Sequence, residues 1–500
     1  MSKLNLEDVF TLSGVPEYTY VVPQEYMELK VALRTHGRGV IVEGPSGIGK
    51  TTAIVKLIDE LGLDSNCLLL TARKADDVAL IREIINTDGF ETIIIDDFHR
   101  LPNDLKKSIS DKMKTMADEG VKKDKLVLVG INRAGDSLVQ FSPDLNNRID
   151  TIHFEKNDDI KIIELIEKGE VALNIELKNK TDIVDNSYGS FHIAQMLCQK
   201  TCILGNVDST CDQKTVVECI YAKTLASIFE ELSRIYYEVA SSFSTGTKLR
   251  KEGRAPYLHI LYWLAKSNEW SLSLPIAMIQ HPKQKASVSQ VVEKGYLEQL
   301  IESKSSFTDY MHYDSSTKIL TIEDPKFVFF LRNIDWSKFA HDIGFISFEL
   351  DNDASVTYDI ALSFAGANRT FAQALFDKLS DRELAVFYDY NERVDILAQD
   401  VEEYLFPIYE SRADFVVPLL SSEYPKRIWT KFESQAFKHR FGENRIIPIW
   451  YSDTDENMFD ESRKYGGIVF DVSGNINAEI EKITDLLCKK IENHKISAIQ

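Results

Sequence analysis

The sequence predicts an α/β chain built from two separate parallel sheets with a mainly helical stretch between them. Three observations lead there. An apolar run at 39–42 enters a glycine-rich segment at 44–52, and Ile54, Leu57, Ile58 and Leu61 then recur at helical spacing. Residues 358–493 alternate short apolar runs with amphipathic segments, the pattern of a parallel sheet covered on both faces. Between these, 213–345 reads as helices followed by one hairpin.

Composition narrows the class. A chain of 500 residues has room for about two to four domains. Its apolar fraction of 44% is ordinary for a globular protein, and its net charge of −20 disfavours nucleic-acid binding through a global basic surface. A local basic patch stays open. Residues 1–10 lack the basic start and apolar core of a secretory signal, and no apolar run approaches membrane-spanning length. The expectation is a cytoplasmic protein without a membrane segment. The cysteines at 198, 202, 211 and 219 do not have the spacing of a known zinc site and read as reduced helix cysteines.

The first half carries phosphate chemistry. Gly44, Gly49, Lys50 and Thr51 make the pattern G-x-x-x-x-G-K-T between a strand and a helix. Gly44, Gly47 and Gly49 let backbone N–H groups close around a β-phosphate, and the helix beginning at Lys50, Thr51 and Thr52 adds its positive N-terminus. Lys50 reaches the β- and γ-phosphates, and the Thr51 hydroxyl ligates Mg²⁺. A second strand is expected at 67–71, a helix at 76–86 and a β-branched third strand at 91–97. At that strand's end Asp96 can hold Mg²⁺ through water, and Asp97 can orient the attacking water. Asp stands where many such enzymes have Glu, so slow hydrolysis by a switch is the expectation. A fourth strand at 126–130 leads to Asn132, placed to contact a γ-phosphate.

These motifs, with Asn132 and the run 145–154, resemble the AAA+ ATPases and their relatives the STAND signalling ATPases. The resemblance implies ATP with Mg²⁺, and an arginine finger at Arg148 acting on a neighbouring subunit; a surface salt bridge is the plainer role for Arg148. In P-loop ATPases a leading segment such as 18–23 often packs on the adenine, and a plain connection is the alternative. Helices at 158–167 and 191–204 fit a lid, although Gly189, Ser190 and Phe191 include no sensing arginine. Helices at 213–240, 256–267, 274–280 and 286–301, with a hairpin at 311–322, fit a winged helix. Lys248, Arg250, Lys251 and Arg254 form the densest basic cluster. They serve either DNA contact or closure of this domain on the nucleotide, as winged helices do in STAND proteins. The negative net charge favours closure.

From 356 to 494 the chain resembles a bacterial TIR domain. The resemblance rests on 359–366 with Arg369, on 386–389, and on 424–433. Strands are expected at 358–364, 384–389, 413–421, 446–450 and 467–471, and helices at 368–379, 400–411, 429–440 and 475–493. The resemblance implies a flavodoxin-like fold and, for many members, cleavage of the nicotinamide–ribose bond of NAD⁺, with the family's catalytic glutamate matched by Glu433. Losing nicotinamide leaves an oxocarbenium-like ribose, which a nearby carboxylate stabilises. Ser363, Phe364, Ala365 and Arg369 follow the first strand, where they can meet pyrophosphate or ribose. Tyr388 and Asp389 end the second strand. Trp429 stacks at the pocket edge or, like Tyr388, packs in the core. Residues 394–400 depart from the Leu-Trp-Gly that often fills this loop, which leaves the assembly geometry open.

The expected architecture is therefore a P-loop NTPase core (1–155), a helical lid (156–210), a winged-helix-like domain (211–350) and a TIR domain (355–500). The expected function is a nucleotide-regulated NAD⁺ hydrolase. It oligomerises through its ATPase and TIR domains on a cue, such as a phage component or partner protein, and depletes NAD⁺ in antiviral defence by abortive infection. The alternative is a TIR scaffold assembled by an ATPase switch. A DNA-remodelling ATPase rests on the basic cluster alone.

Overall fold

The computed structural model describes residues 3–63, 66–131, 147–248, 250, 253–267, 270–345, 358–388, 408–424, 440, 444–455, 459 and 462–497. The first sheet is parallel, in the order β2-β3-β4-β1-β5. Its strands are β1 (Gly39–Glu43), β2 (Cys67–Thr71), β3 (Thr92–Asp96), β4 (Lys125–Val129) and β5 (Ile149–His153). Side chains alternate between the two faces, as a pleat requires. Val40, Val42, Ile94, Val127 and Val129 join one core, while Ile41, Ile93, Ile95, Leu126 and Leu128 join the other. The helix Lys50–Glu60 covers the first face through Ala53, Ile54, Leu57 and Ile58. The helix Asn103–Asp118 closes the second through Leu105, Ile109, Met113 and Met116. The sequence reading contains no helix there, although those four positions have the spacing of a helical stripe.

Helices Asp159–Leu173, Lys180–Ser187 and Phe191–Leu204 follow the sheet, where the lid is expected. Asp158 caps the first, accepting from the Lys161 backbone N–H, and Ser190 caps the third, accepting from that of Ile193. Strands β6 (Ile175–Leu177) and β7 (Thr215–Val217) pair in parallel, so the lid's hydrogen bonding continues past residue 210. The expected helix 213–240 is thus a short strand followed by the 25-residue helix Tyr221–Thr245.

The middle domain keeps its hairpin and gains a third strand. Strands β9 (Met311–Asp314) and β10 (Ile319–Ile322) pair antiparallel, and β8 (Ser271–Ser273) adds to β10. Asp314 accepts from the Ser316 and Thr317 backbone N–H groups, which shapes the turn. The expected helix 286–301 is two helices, Pro282–Glu293 and Tyr296–Glu302. Gly295 between them sits at φ 71°, a left-handed conformation that ends the first helix.

The C-terminal sheet is parallel, in the order β12-β11-β13-β14-β15, with β11 at Tyr358–Ser363, β12 at Val386–Phe387, β13 at Ala413–Leu420, β14 at Ile449–Tyr451 and β15 at Ile468–Phe470. This is the flavodoxin-like order, and its switch point lies between the ends of β11 and β13. The opposite end of the sheet docks on the middle domain. Asp359, at the start of β11, is buried and accepts from Arg254 Nε at 2.8 Å, with Lys495 Nζ at 3.5 Å. Asp381 accepts from Tyr296 Oη at 3.1 Å and pairs with Lys294 at 3.2 Å. Burial alone would raise the Asp359 carboxyl, but Arg254 and Lys495 outweigh it and hold it low.

Replacing Arg254 strands a buried carboxylate with Lys495 as its remaining cation. Arg254→Met is expected to destabilise the docked arrangement by up to about 3–5 kcal/mol. Calorimetry of the full chain should resolve an earlier melting of the C-terminal domain, and limited proteolysis should cut faster between residues 246 and 255.

Candidate functional site

The loop after β1 forms a phosphate cradle. Gly44, Gly47 and Gly49 have φ values of 144°, 76° and 104°. A Cβ on Gly44 would stand 2.2 Å from the Phe154 carbonyl oxygen, so only glycine fits that position. Lys50 Nζ is folded back onto the loop, donating to the Gly44 and Pro45 carbonyls at 2.8 and 2.6 Å. Burial lowers its ammonium to about 8 against the pull of Asp96 and Asp97. Thr51 Oγ1 donates to Asp96 Oδ2 at 3.0 Å. Burial and the neighbouring Asp97 push the Asp96 carboxyl up. A dication relieves that strain, so Thr51 and Asp96 fit Mg²⁺. Thr52 lines the same cavity of about 210 Å³ together with Ser46, Arg73, Asp97 and Glu323.

Asp97 is at φ 55°. Arg73 grips its carboxylate with both Nε and Nη2, at 2.6 and 3.1 Å. Arg73 also reaches Glu323 Oε2 at 3.1 Å, although Glu323 lies in the middle domain just after β10. Glu323 accepts further from Arg100 Nε at 3.0 Å and meets His99 Nε2 at 2.6 Å. Its side chain is 2% exposed. Burial works against its charge, but His99 and Arg100 prevail and hold the carboxyl at about 2. Thus the middle domain lines the phosphate cavity. His99, His312 and Glu323 come within reach of a single metal ion. Arg73 and Arg100 already pair with that carboxylate, however, and Lys106 donates to the His99 carbonyl, so an added dication meets three cations.

On the other side of the cradle, Gly47, Gly49 and Thr52 border a second cavity of about 170 Å³. Leu12, Thr19, Tyr20, Val21, Phe191 and Gln195 enclose it. The leading segment at 18–23 therefore lies beside the cradle instead of merely connecting elements. Ser190 Oγ donates to the Gly47 carbonyl at 3.1 Å, which ties the lid to the loop. Arg148 pairs with Asp118 at 2.6 Å on the surface of the same sheet domain.

In the C-terminal domain, Ser363 is buried at the end of β11 with its hydroxyl 2.7 Å from Tyr424 Oη. Ser421 Oγ donates to Asn368 Oδ1 at 2.6 Å across the switch point. Ala365 is buried, Phe364 is half-buried, and the Arg369 guanidinium lies 5.4 Å from the centre of the Phe364 ring. Tyr388 is 1% exposed, stacked between Phe364 and Phe376. Its ring belongs to the core. Asn132, Asp389, Trp429, Glu433 and the loop 394–400 lie outside the described residues. Of the basic cluster, Arg254 is committed to Asp359, and Lys251 also lies outside the described residues. Sequence reasoning missed Arg73, Glu323 and Gln195. None of them carries a local motif; they meet the site only through the fold.

Residues 360–486 match the family described as the TIR domain. The C-terminal sheet is a TIR domain. Over 104 residues it is 38% identical to the 3' cyclic ADP-D-ribose synthase AaTIR of Aquimarina amphilecti, covering 20% of this chain and 32% of that protein. The chain thus spans about a third of that relative's length. Two solved structures are similar at low identity. The Thermotoga maritima RuvB Holliday junction branch migration motor is 17% identical, covering 60% of this chain and 92% of its own, with a TM-score of 0.33. The Aeropyrum pernix ORC2 protein is 13% identical, covering 68% and 98%, with a TM-score of 0.37. The nucleotide site rests on its own residues and not on these two likenesses. Among the described residues, no helix is long and apolar enough to cross a membrane.

Acid should loosen the contact between the middle domain and the sheet. Burial, with His99 beside it, lowers His312 from 6.5 to about 4, so its contribution to stability is present above pH 6.5 and lost as pH falls toward 4. The Glu323 contribution is present above its ordinary value of 4.5 and lost as pH falls toward 2. Melting temperatures by circular dichroism should therefore drop from pH 6.5 downward, with a further fall below 4.5. Glu323→Gln should remove the lower step.

Proposed function

We propose that this chain is a nucleotide-regulated NAD⁺ hydrolase. Its P-loop site controls when the TIR domain cleaves the nicotinamide–ribose bond. One observation carries the reading: the middle domain touches both ends of the machine. Glu323 lines the phosphate cavity beside Arg73 and Asp97, and Arg254 holds the buried Asp359 of the TIR domain. A domain anchored at both sites is suited to pass a change at one to the other. The likeness to a TIR enzyme that makes a cyclic ADP-ribose supports the chemistry.

In this reading Lys50, Thr51 and Asp96 hold ATP with Mg²⁺. ATP supplies a γ-phosphate charge that competes with Asp97 and Glu323 for Arg73. Asp97, released from Arg73, then orients water for slow hydrolysis, and Asn132 contacts the γ-phosphate. Arg148 leaves Asp118 to reach a neighbouring subunit when the chain oligomerises. Assembled TIR domains bring Glu433 to the ribose, where its carboxylate stabilises the developing positive charge. Ser363, Phe364, Ala365 and Arg369 border the NAD⁺ pocket, with Asp389 and Trp429 at its edge. NAD⁺ depletion on a phage-derived or protein cue fits antiviral defence by abortive infection.

The test follows nicotinamide release by the purified full chain, with and without ATP and Mg²⁺. Glu433→Ala should lower release by about 100-fold or more. Lys50→Ala should abolish its dependence on ATP. Chromatography of the product separates linear from cyclic ADP-ribose. No release under any nucleotide, or under forced clustering, would instead favour a TIR scaffold assembled by the ATPase.

A further inference from the structure

We infer that Gln195 reads the 6-amino group of a purine and makes the P-loop site selective for adenine nucleotides. The inference rests on the nucleotide reading above and adds the base to it. Gln195 lies on the lid helix Phe191–Leu204 and lines the cavity that borders Gly47, Gly49 and Thr52. It is 3% exposed, and its Oε1 is buried without a hydrogen-bond partner. A buried acceptor left unpaired is costly, so it calls for a donor.

The neighbouring bonds dictate which end of the amide is available. Thr19 is 1% exposed, and its hydroxyl donates its single proton to the Val9 carbonyl at 2.9 Å. Its oxygen can then only accept, and it accepts from Gln195 Nε2 at 2.7 Å. A flipped amide would set Oε1 against an oxygen that has no proton to offer. The relay Gln195–Thr19–Val9 therefore assigns the amide orientation by its hydrogen bonds. It leaves Oε1 as the unpartnered end of the amide.

The rest of the cavity suits a flat ring. Leu12, Val21, Phe191 and the Tyr20 ring supply apolar wall, and Gly47, Gly49 and Thr52 are shared with the phosphate cavity, so base and phosphates meet along that edge. Adenine carries an N–H donor at its 6-position. Guanine carries an oxygen there, which would face Oε1 acceptor to acceptor. An unsubstituted purine offers nothing at that position.

Isothermal titration of the full chain with ATP, GTP and purine riboside 5'-triphosphate, each with Mg²⁺, tests the assignment. Wild type should bind ATP about tenfold or more tightly than either analogue. Gln195→Leu should erase the difference between ATP and purine riboside triphosphate. Thr19→Val frees the amide to turn and should narrow the gap between ATP and GTP. Equal binding of all three nucleotides by wild type, or a preference that survives in Gln195→Leu, overturns the inference while leaving the nucleotide site in place. If wild type binds none of them, the nucleotide reading falls as well. The wild-type comparison needs no substitution, so a poorly folding variant does not shield the proposal.

Discussion

Glu323 is a carboxylate held out of water by the contact between two domains. Left alone there, its charge would cost several kcal/mol. It is tolerable because Arg73, Arg100 and the His99 ring all reach it from the N-terminal domain. The middle domain cannot leave the sheet domain without exposing this network, and it cannot stay unless the network is complete. An apolar contact of the same size would hold the two domains as well, but without a register. The ionic contact sets the hairpin against the segment after β3, where Asp96 and Asp97 stand. Through Arg73, the same contact reaches the Asp97 carboxylate.

A second buried carboxylate repeats the arrangement at the other end of the middle domain. Asp359 is taken up by Arg254 and Lys495, and the Ala385 backbone N–H also donates to it. This contact lies at the start of β11, away from the strand end that carries Ser363. The TIR domain is therefore held by the face opposite its switch point. Docking is therefore at the other end of the sheet from that one. The two contacts give the middle domain defined attachments to both parallel-sheet domains, which is a physical requirement for coupling between them.

The elements read well wherever their signal was local. Alternating and continuous apolar runs placed the strands of both sheets, because burial on one or two faces imposes a period on neighbouring residues. The phosphate loop was legible because its glycines, Lys50 and Thr51 act within one turn of chain. Local reading failed where a backbone detail overruled a pattern. Gly295 divides one apolar stretch into two helices by taking a left-handed conformation. Residues 215–217 become a strand because β6 is beside them, and they are not the start of a helix. Tyr388 read equally as pocket or core, and the packing of Phe364 and Phe376 around it places it in the core.

What the sequence by itself determined was the chemistry on offer: a phosphate cradle, a pair of carboxylates at a strand end, and a TIR-like parallel sheet. These are runs of adjacent residues whose types and spacing are enough to define them. The tertiary structure alone decided which distant groups complete the sites. Arg73 and Glu323 are 250 positions apart in the chain, Arg254 and Asp359 are 105 apart, and Gln195 and Thr19 are 176 apart. No periodicity records such a partner, because each side chain, read singly, is an ordinary solvated residue. Burial is what gives each a role. It removes water as the competing partner, and a charge or acceptor left in the interior must then be met by the few groups the fold brings to it.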